Sequence, residues 1–176
     1  LAAHLELAEP SHRALVQEFW ASPKIAATAG HKAVDLFRAV EEGKIQALWI
    51  MATNPVDSLP DADRVKRAIA ACPFVVVSDV MRSTDTTELA HVLLPAEAWG
   101  EKDGTVTNSE RRISRQRRFV DPIGEARPDW WALAELGKRL GFADAFGWTS
   151  AAAVFREHAG LSGHRPEITR DFDISA

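Results

Sequence analysis

The chain has 176 residues, of which 46% are hydrophobic and 26% charged, and its formal net charge is −4. This composition is typical of a soluble globular protein with one sizeable core. No apolar run approaches the roughly 20 residues that span a bilayer, which excludes a transmembrane helix. The acidic balance argues against a nucleic-acid partner.

The two ends of the sequence predict an internal piece of a longer protein. The opening LAAHLEL starts at Leu1 instead of Met and carries no positively charged leader with an apolar core. Whether a leader lies upstream stays open. The last residues form a polar stretch that stops without a closing element.

The single cysteine, Cys72, precludes an internal disulfide and any cysteine-based metal or iron–sulfur cage built from this chain alone. It lies directly before an apolar strand, and free cysteines are usually buried. We therefore interpret Cys72 as a core residue and not as a nucleophile. His91, His158 and His164 lack the spacing of metal ligands, and we interpret them as structural or solvated.

The first part of the chain predicts two helices and a loop. These elements are a helix over 9–21, a loop over 22–31 and a helix over 32–42. Pro10 opens the first helix, because proline is favoured at the first helical position. In the second helix Val34, Phe37 and Val40 are predicted to share the buried face, and Gly43 ends the helix.

The middle of the chain alternates strands and helices. The predicted elements are strands over 45–52, 73–79 and 91–95, a helix over 61–71 and a helical turn over 84–90. The strands are almost continuously apolar, as expected of parallel strands covered on both faces. The alternation predicts an α/β fold with a three-layer, doubly wound, mostly parallel sheet of the Rossmann-like kind.

The last part predicts an antiparallel β-ribbon and C-terminal helices. The ribbon is the alternating stretch TVTNSERRISRQRRFV, and the helices span 129–140 and 149–160. Residues 111–118 carry five arginines, which a strand would divide between its two faces. That division disfavours a nucleic-acid stripe and favours a charged ribbon at a domain interface.

Polar residues follow the three predicted strands, where ligands of open parallel sheets bind. They are Thr53 and Asn54, then Ser78 and Asp79, then Glu101 and Lys102. An aspartate there can accept hydrogen bonds from ribose or a guanine edge, and a lysine can neutralise a phosphate. The alternative is that these residues are only loop residues and helix caps. The sequence has no G-x-G-x-x-G or Walker motif, which disfavours an ordinary dehydrogenase or ATPase.

Two stretches carry a family resemblance. WIMATNPVDSLPDADRV and FVVVSDVMRSTDTTELAHVLLPAEAWGEKDGTVTNSERRISRQRRFVDPIGEARPDWW resemble the molybdopterin oxidoreductases of the DMSO reductase superfamily, over about residues 31–142. Within that superfamily, SDVMRSTDTT and TNSERRISRQR are most similar to bacterial assimilatory nitrate reductases and favour them over formate dehydrogenases.

The resemblance implies a parent enzyme with molybdenum bound by two molybdopterin guanine dinucleotides (bis-MGD). It also implies an N-terminal [4Fe–4S] cluster, outside this chain, and two-electron reduction of nitrate to nitrite. This chain is similar to the later of two central α/β domains, each of which holds one guanine dinucleotide arm. The cofactor-binding residues implied by the match are Asn54, Ser78, Asp79, Lys102 and Asp129. Asp129 rests on the family match alone.

The resemblance also predicts how the chain is organised and what it binds. The expected parts are a helical lead-in over 1–30, the cofactor-binding α/β domain over 31–145, and a helix with a truncated tail over 146–176. The expected partners are other domains of the same polypeptide and an electron-donor protein or NADH-linked reductase, with no nucleic acid and no membrane. The expected compartment is the cytoplasm.

The isolated chain is expected to hold no cofactor and to be inactive, because no catalytic or metal-ligating residue is assigned to it. Two alternatives stay open. One is the same domain from a formate dehydrogenase-like molybdoenzyme, and the other is a free-standing, non-catalytic module that binds a nucleotide.

Overall fold

The computed structural model describes Ala2 and residues 5–165, which form two compact units. The sheet unit comprises residues 31–102 and 117–132, and the ribbon unit comprises the described residues of 1–30, 103–116 and 133–176. The helices are α1 (Pro10–Phe19), α2 (Ala33–Glu41), α3 (Pro55–Ser58), α4 (Ala62–Ala71), α5 (Asp129–Arg139) and α6 (Ala151–Gly163). The strands are β1 (Ala47–Met51), β2 (Phe74–Asp79), β3 (Val92–Pro95), β4 (Gly104–Thr107) and β5 (Ile113–Gln116).

The sheet unit is built on three parallel strands in the order β1-β2-β3. The register places Leu48 beside Val75 and Ile50 beside Val77, so these four side chains share one face of the sheet. That face packs on the apolar sides of α2 and α4, which contribute Phe37, Val40, Val65, Ala68 and Ile69. Burial of this apolar surface is the main force that holds the helices on the sheet.

The predicted α/β fold is confirmed, with its parallel sheet, its antiparallel ribbon and its C-terminal helices. The coverage of the strands differs from the expectation. Leu48, Ile50, Val75 and Val77 on one face are buried, whereas Trp49, Met51 and Val76 on the other face are half-buried. On this second face the Trp49 indole Nε1 donates to Ser78 Oγ at 2.8 Å.

The predicted buried face of α2 is wrong at one position, because Val34 is 50% exposed. At 3.6 residues per turn, Val34 and Val40 lie about 120° apart around the helix and cannot share a narrow stripe. Phe37 and Val40 are buried as expected. Gly43 ends the helix with φ +71, and its N–H bonds to the Val40 carbonyl at 2.9 Å.

Other predicted elements are confirmed with small shifts of their ends, and two short helices, α3 and a 3-10 helix at Trp99–Glu101, were not predicted. The helix α3 lies in the stretch TNPVDSLPDADR, which the sequence analysis interpreted only as a break, and Pro55 is its first residue. The predicted tail beyond residue 165, and Leu1, Ala3 and His4 of the predicted lead-in, lie outside the described residues.

The ribbon unit pairs β4 with β5 in an antiparallel register that sets Gly104 opposite Gln116. Of the five arginines in 111–118, only Arg115 lies on β5. In the same unit Leu15, Val16 and Leu161 form a buried cluster between α1 and α6. The arginines therefore occupy the turn and the flanks of the ribbon more than its strand faces.

Two helical glycines of the ribbon unit allow a matched stability test. A Cβ on Gly137 of α5 would lie 2.4 Å from Cδ2 of Phe146, whereas a Cβ on Gly160 of α6 would meet Phe19 at an ordinary 3.7 Å. Alanine is more favourable than glycine in helices by about 1 kcal/mol. We expect Gly160→Ala to raise the free energy of unfolding by roughly 0.5–1 kcal/mol. Gly137→Ala should lower it by about 1–3 kcal/mol through overpacking.

Denaturant titration of the two variants beside the parent chain measures both changes. A stabilised Gly137→Ala variant would contradict the packing between α5 and Phe146.

Candidate functional site

A cleft of about 280 Å³ lies at the carboxyl edge of the parallel sheet, entirely within the sheet unit. Segments beyond all three strands and the first residue of α5 contribute to its wall. The lining residues are Ala52, Thr53, Asn54, Asp79, Val80, Met81, Thr84, Ala96, Glu97, Lys102 and Asp129. The cleft thus occupies the edge where ligands of open parallel sheets bind.

Asn54, three residues after β1, is held by a buried threonine. The fully buried Thr86 hydroxyl donates to Asn54 Oδ1 at 2.5 Å and accepts from the Val56 N–H at 3.3 Å. This pair of bonds fixes the amide with its oxygen toward Thr86. The Nδ2 group then has no partner among the described residues and can donate to a ligand in the cleft.

Asp79 ends β2, and one of its two carboxylate oxygens is already engaged. Oδ1 accepts from the Met81 N–H at 2.8 Å, which closes an Asx turn over the rim. The second oxygen makes no hydrogen bond with a described residue. Asp79 therefore shapes the rim, as expected if it were only a loop residue. It also offers one acceptor to the cleft.

Asp129 reaches the cleft through a bridge that extends the sheet. Ala96 forms an isolated parallel bridge with Arg127, in which the Arg127 N–H bonds to the Pro95 carbonyl at 3.0 Å. This bridge sets the start of α5 beside the end of β3. Asp129 Oδ2 lies 3.8 Å from Lys102 Nζ, and its Oδ1 is buried without a hydrogen-bond partner in the described part of the chain.

Glu97 is a cleft residue that the sequence analysis missed. It lies two residues beyond β3 and is only 8% exposed, and none of its carboxylate oxygens bonds to a described residue. Burial raises the pKa of this carboxyl. The charge of Arg118 lowers the pKa, Glu101 raises it, and Lys102 and Arg127 lower it. The rule that selected residues after each strand could have found Glu97.

Glu101, which the strand-end rule did select, has a structural role. Its Oε2 accepts from the Ala98 N–H at 2.7 Å and its Oε1 from the Ile123 N–H at 3.1 Å. Both oxygens therefore bind backbone, and Glu101 does not line the cleft.

The backbone of the cleft is strained at one position. Ala52, directly after β1, has φ +54, in the left-handed region that costs an alanine about 1 kcal/mol. Its N–H still bonds to the Ser78 carbonyl at 3.0 Å, so the sheet holds this conformation in place. Strain of this kind concentrates at ligand sites.

The structure brings together four of the five predicted cofactor-binding residues and places the fifth behind them. Asn54, Asp79, Lys102 and Asp129 line the cleft, and Asp129 had been assigned from the family match alone. Ser78 is 2% exposed and accepts from Trp49, so its side chain lies on a sheet face and not in the cleft wall. The binding role of all five residues stays a prediction.

Cys72 and His91 have structural contacts. Cys72 is buried, and its thiol lies 3.5 Å from the Phe74 carbonyl. His91 Nδ1 accepts from the Val75 N–H at 3.0 Å. Among residues 2 and 5–165 no group of three or more His, Cys, Asp or Glu side chains could hold a metal ion. In the same residues no helix is long and apolar enough to cross a membrane.

The fold and the carboxyl-edge cleft define an α/β protein with a candidate ligand site, and comparison with known proteins defines its family. The family model of molybdopterin oxidoreductase matches residues 4–139, so the chain belongs to that family.

The chain is 53% identical over 174 residues to a nitrate reductase of Klebsiella oxytoca, a match that covers 99% of this chain and 20% of the relative. It is 44% identical over 118 residues to the F420-dependent formate dehydrogenase subunit alpha of Methanocaldococcus jannaschii, which covers 66% of this chain and 17% of the relative. The chain thus spans about a fifth of the length of the curated relatives it matches.

Among solved structures the chain is similar to the acetylene hydratase of Pelobacter acetylenicus. The TM-score is 0.63 at 22% identity, and the match covers 78% of this chain and 20% of that one. At this identity the likeness supports the fold alone.

Thr86 allows a test of how the cleft is built. Thr86→Val keeps the shape of the side chain but leaves the Val56 N–H without its acceptor and Asn54 without its donor. We expect the free energy of unfolding to fall by about 1–3 kcal/mol. Thr105→Val, on the exposed face of β4 where the hydroxyl has no described partner, should change it by no more than about 0.5 kcal/mol. Equal effects of the two substitutions, measured by denaturant titration, would refute the role of Thr86.

Proposed function

We propose that this chain is the cofactor-binding α/β domain of a molybdenum nitrate reductase and that its carboxyl-edge cleft holds one guanine dinucleotide arm of a bis-MGD. The observation that carries the proposal is the convergence of Asn54, Asp79, Lys102 and Asp129 on one cleft. The 53% identity to a nitrate reductase over nearly the whole chain supports the choice of parent enzyme.

The side chains of the cleft fit a guanine nucleotide. Its carboxylates are hydrogen-bond acceptors, and guanine and ribose present N–H and O–H donors. Asp129 Oδ1 is a buried acceptor that lacks a described partner, and a ligand donor would satisfy it. Lys102 is the cation of the lining and would neutralise a phosphate. A volume of about 280 Å³ is close to the lower bound of roughly 300 Å³ for small-molecule sites and suits one nucleoside end.

The residues of this chain would bind and orient the cofactor without taking part in bond making. When bound, the molybdenum centre would supply the two-electron chemistry that reduces nitrate to nitrite. A [4Fe–4S] cluster, an electron donor and the other domains of the polypeptide would lie outside these residues. The cytoplasm is the proposed compartment.

A second candidate is the same domain in a formate dehydrogenase-like enzyme. The 44% identity to the Methanocaldococcus jannaschii subunit favours it as an alternative, since that relative shares the family but not the reaction. The match to the nitrate reductase is both higher and longer, and for that reason we prefer nitrate.

Titration of the chain with GDP, followed by amide NMR, tests the site. One arm of the cofactor makes a limited set of contacts, so we expect dissociation constants near 1 mM, which corresponds to roughly −4 kcal/mol. The first amides to shift should belong to Asn54, Ser78 and Asp79. Shifts confined to the arginines of 111–118 would mean non-specific binding of phosphate and would overturn the proposed site.

Asp79 variants sharpen this test. Asp79→Ala should weaken GDP binding by about 5- to 150-fold, equivalent to about 1–3 kcal/mol, because ligand donors lose their acceptor. Asp79→Asn keeps an acceptor for the Met81 N–H and should have a milder effect. Asp63→Asn, at an exposed position of α4, is the matched control and should bind GDP like the parent chain. If Asp79→Ala also binds GDP like the parent chain, Asp79 is only a turn residue.

We also expect the isolated chain to be catalytically inert. With one cysteine, it cannot assemble an iron–sulfur cluster from its own thiolates. Purified protein should reduce no nitrate with reduced viologen dye, and elemental analysis should find neither iron nor molybdenum at one equivalent. Stoichiometric metal would contradict this expectation.

A further inference from the structure

Three carboxylates line the cleft, and they differ in how many of their oxygens are free. Asp79 Oδ1 is held by the Met81 N–H, and Asp129 Oδ2 faces Lys102 at 3.8 Å. Each of these aspartates therefore offers one oxygen. Glu97 offers two, since neither of its oxygens bonds to a described residue.

The position of Glu97 is fixed although its carboxylate is not engaged. Its backbone N–H bonds to the Arg127 carbonyl at 3.1 Å, next to the bridge between Ala96 and Arg127. The side chain is more than nine-tenths buried and lines the cleft. The described part of the chain supplies no donor to either carboxylate oxygen, and a ligand in the cleft can supply donors to both.

We propose that Glu97 reads the base of the bound nucleotide, with its two oxygens accepting from the N1–H and the N2 amino group of guanine. This inference rests on the proposed function and adds to it a residue that determines specificity. Two parallel donors match a carboxylate whose oxygens are both free, which is the condition that Asp79 and Asp129 do not meet. The phosphates of the ligand are excluded from this position, because a carboxylate repels them.

The charges around Glu97 agree with this assignment. Burial raises the pKa of the carboxyl, and the neighbouring Arg118, Lys102 and Arg127 lower it while Glu101 raises it. Burial is the largest of these causes and raises the pKa, so the ionised carboxylate lowers the stability of the folded chain. A carboxylate that stabilised the folded chain would instead have a lowered pKa.

The test compares the 176-residue chain with its Glu97→Gln variant in binding of two nucleotides. These are GDP and inosine diphosphate (IDP), whose base is guanine without the 2-amino group. The parent chain should prefer GDP over IDP by about tenfold, the scale of one bidentate base contact. In Glu97→Gln that preference should vanish, with the GDP affinity reduced about tenfold. Glu125→Gln, at an exposed position of the sheet unit, is the matched control and should keep the preference.

Thermal stability supplies the second readout. Because burial raises the pKa of Glu97, its charge costs stability above that pKa and costs none once the carboxyl is protonated. Glu97→Gln should therefore melt at a higher temperature than the parent chain at pH 7, and the difference should shrink as the pH falls through the raised pKa and vanish below the ordinary carboxyl value of 4.5.

The outcomes separate the two proposals. If the parent chain binds GDP at the cleft and Glu97→Gln keeps the preference for GDP over IDP, the role of Glu97 is refuted and the proposed function stands. If Glu97→Gln melts at a lower temperature at pH 7, Glu97 is structural and the inference is also refuted. If the parent chain binds neither nucleotide, both proposals fall.

Discussion

The parallel pairing of β2 with both of its neighbours is the constraint on which the site depends. Because β1, β2 and β3 run in the same direction, the residues that follow Met51, Asp79 and Pro95 all emerge at one edge. The register of the strands fixes the positions of those residues relative to one another. The core formed with α2 and α4 fixes the register, because a slip by one residue would turn Val75 and Val77 away from that core. In the described part of the sheet the strands follow one another in chain order, without a reversal. The position of the cleft is therefore set by the carboxyl edge and not by a change in strand order.

The second determinant is the segment that closes the cleft beside β3. Backbone bonds of Arg127 to Pro95 and Glu97 continue the parallel pairing beyond the last strand, and the carboxylate of Glu101 holds the Ile123 N–H in the same segment. Asp129 follows directly and opens α5 next to Lys102. An acidic residue in the first turn of a helix is also favoured by the helix dipole.

These two determinants explain which parts of the site the sequence could predict. Asn54 follows β1, Asp79 ends β2 and Lys102 lies seven residues beyond β3, so the apolar runs alone predicted these residues at the rim. Ser78 lies within β2, where side chains alternate between the two faces of the sheet. The alternation alone therefore predicts that the Ser78 side chain lies on a sheet face, where it contacts Trp49. Asp129 could not be placed by periodicity, because the Ala96–Arg127 bridge joins segments far apart in the chain and leaves no local pattern.

The distinction between Glu97 and Glu101 shows a further limit. Both glutamates follow β3, and residue type cannot tell which one binds backbone. Only the fold reveals that Glu101 satisfies two backbone N–H groups whereas Glu97 satisfies none in the described residues. Similarly, the side of α2 that packs against α4 determines which of its residues are buried. Val34 lies outside that side, although its spacing from Phe37 is helical.

The unmet acceptors of the cleft connect stability to binding. Each buried oxygen without a donor costs about 1–3 kcal/mol, and a ligand that supplies the donor recovers that cost as binding free energy. A ligand that binds the folded chain but not the unfolded chain stabilises the folded chain. This stabilisation grows with the logarithm of the ligand concentration divided by Kd. A cofactor with two dinucleotide arms would be held by two such clefts on one polypeptide, so that binding of the first arm raises the effective concentration of the second. Millimolar affinity at one cleft is therefore compatible with a tightly held cofactor in the proposed parent enzyme, because two weak sites on one ligand multiply their equilibrium constants.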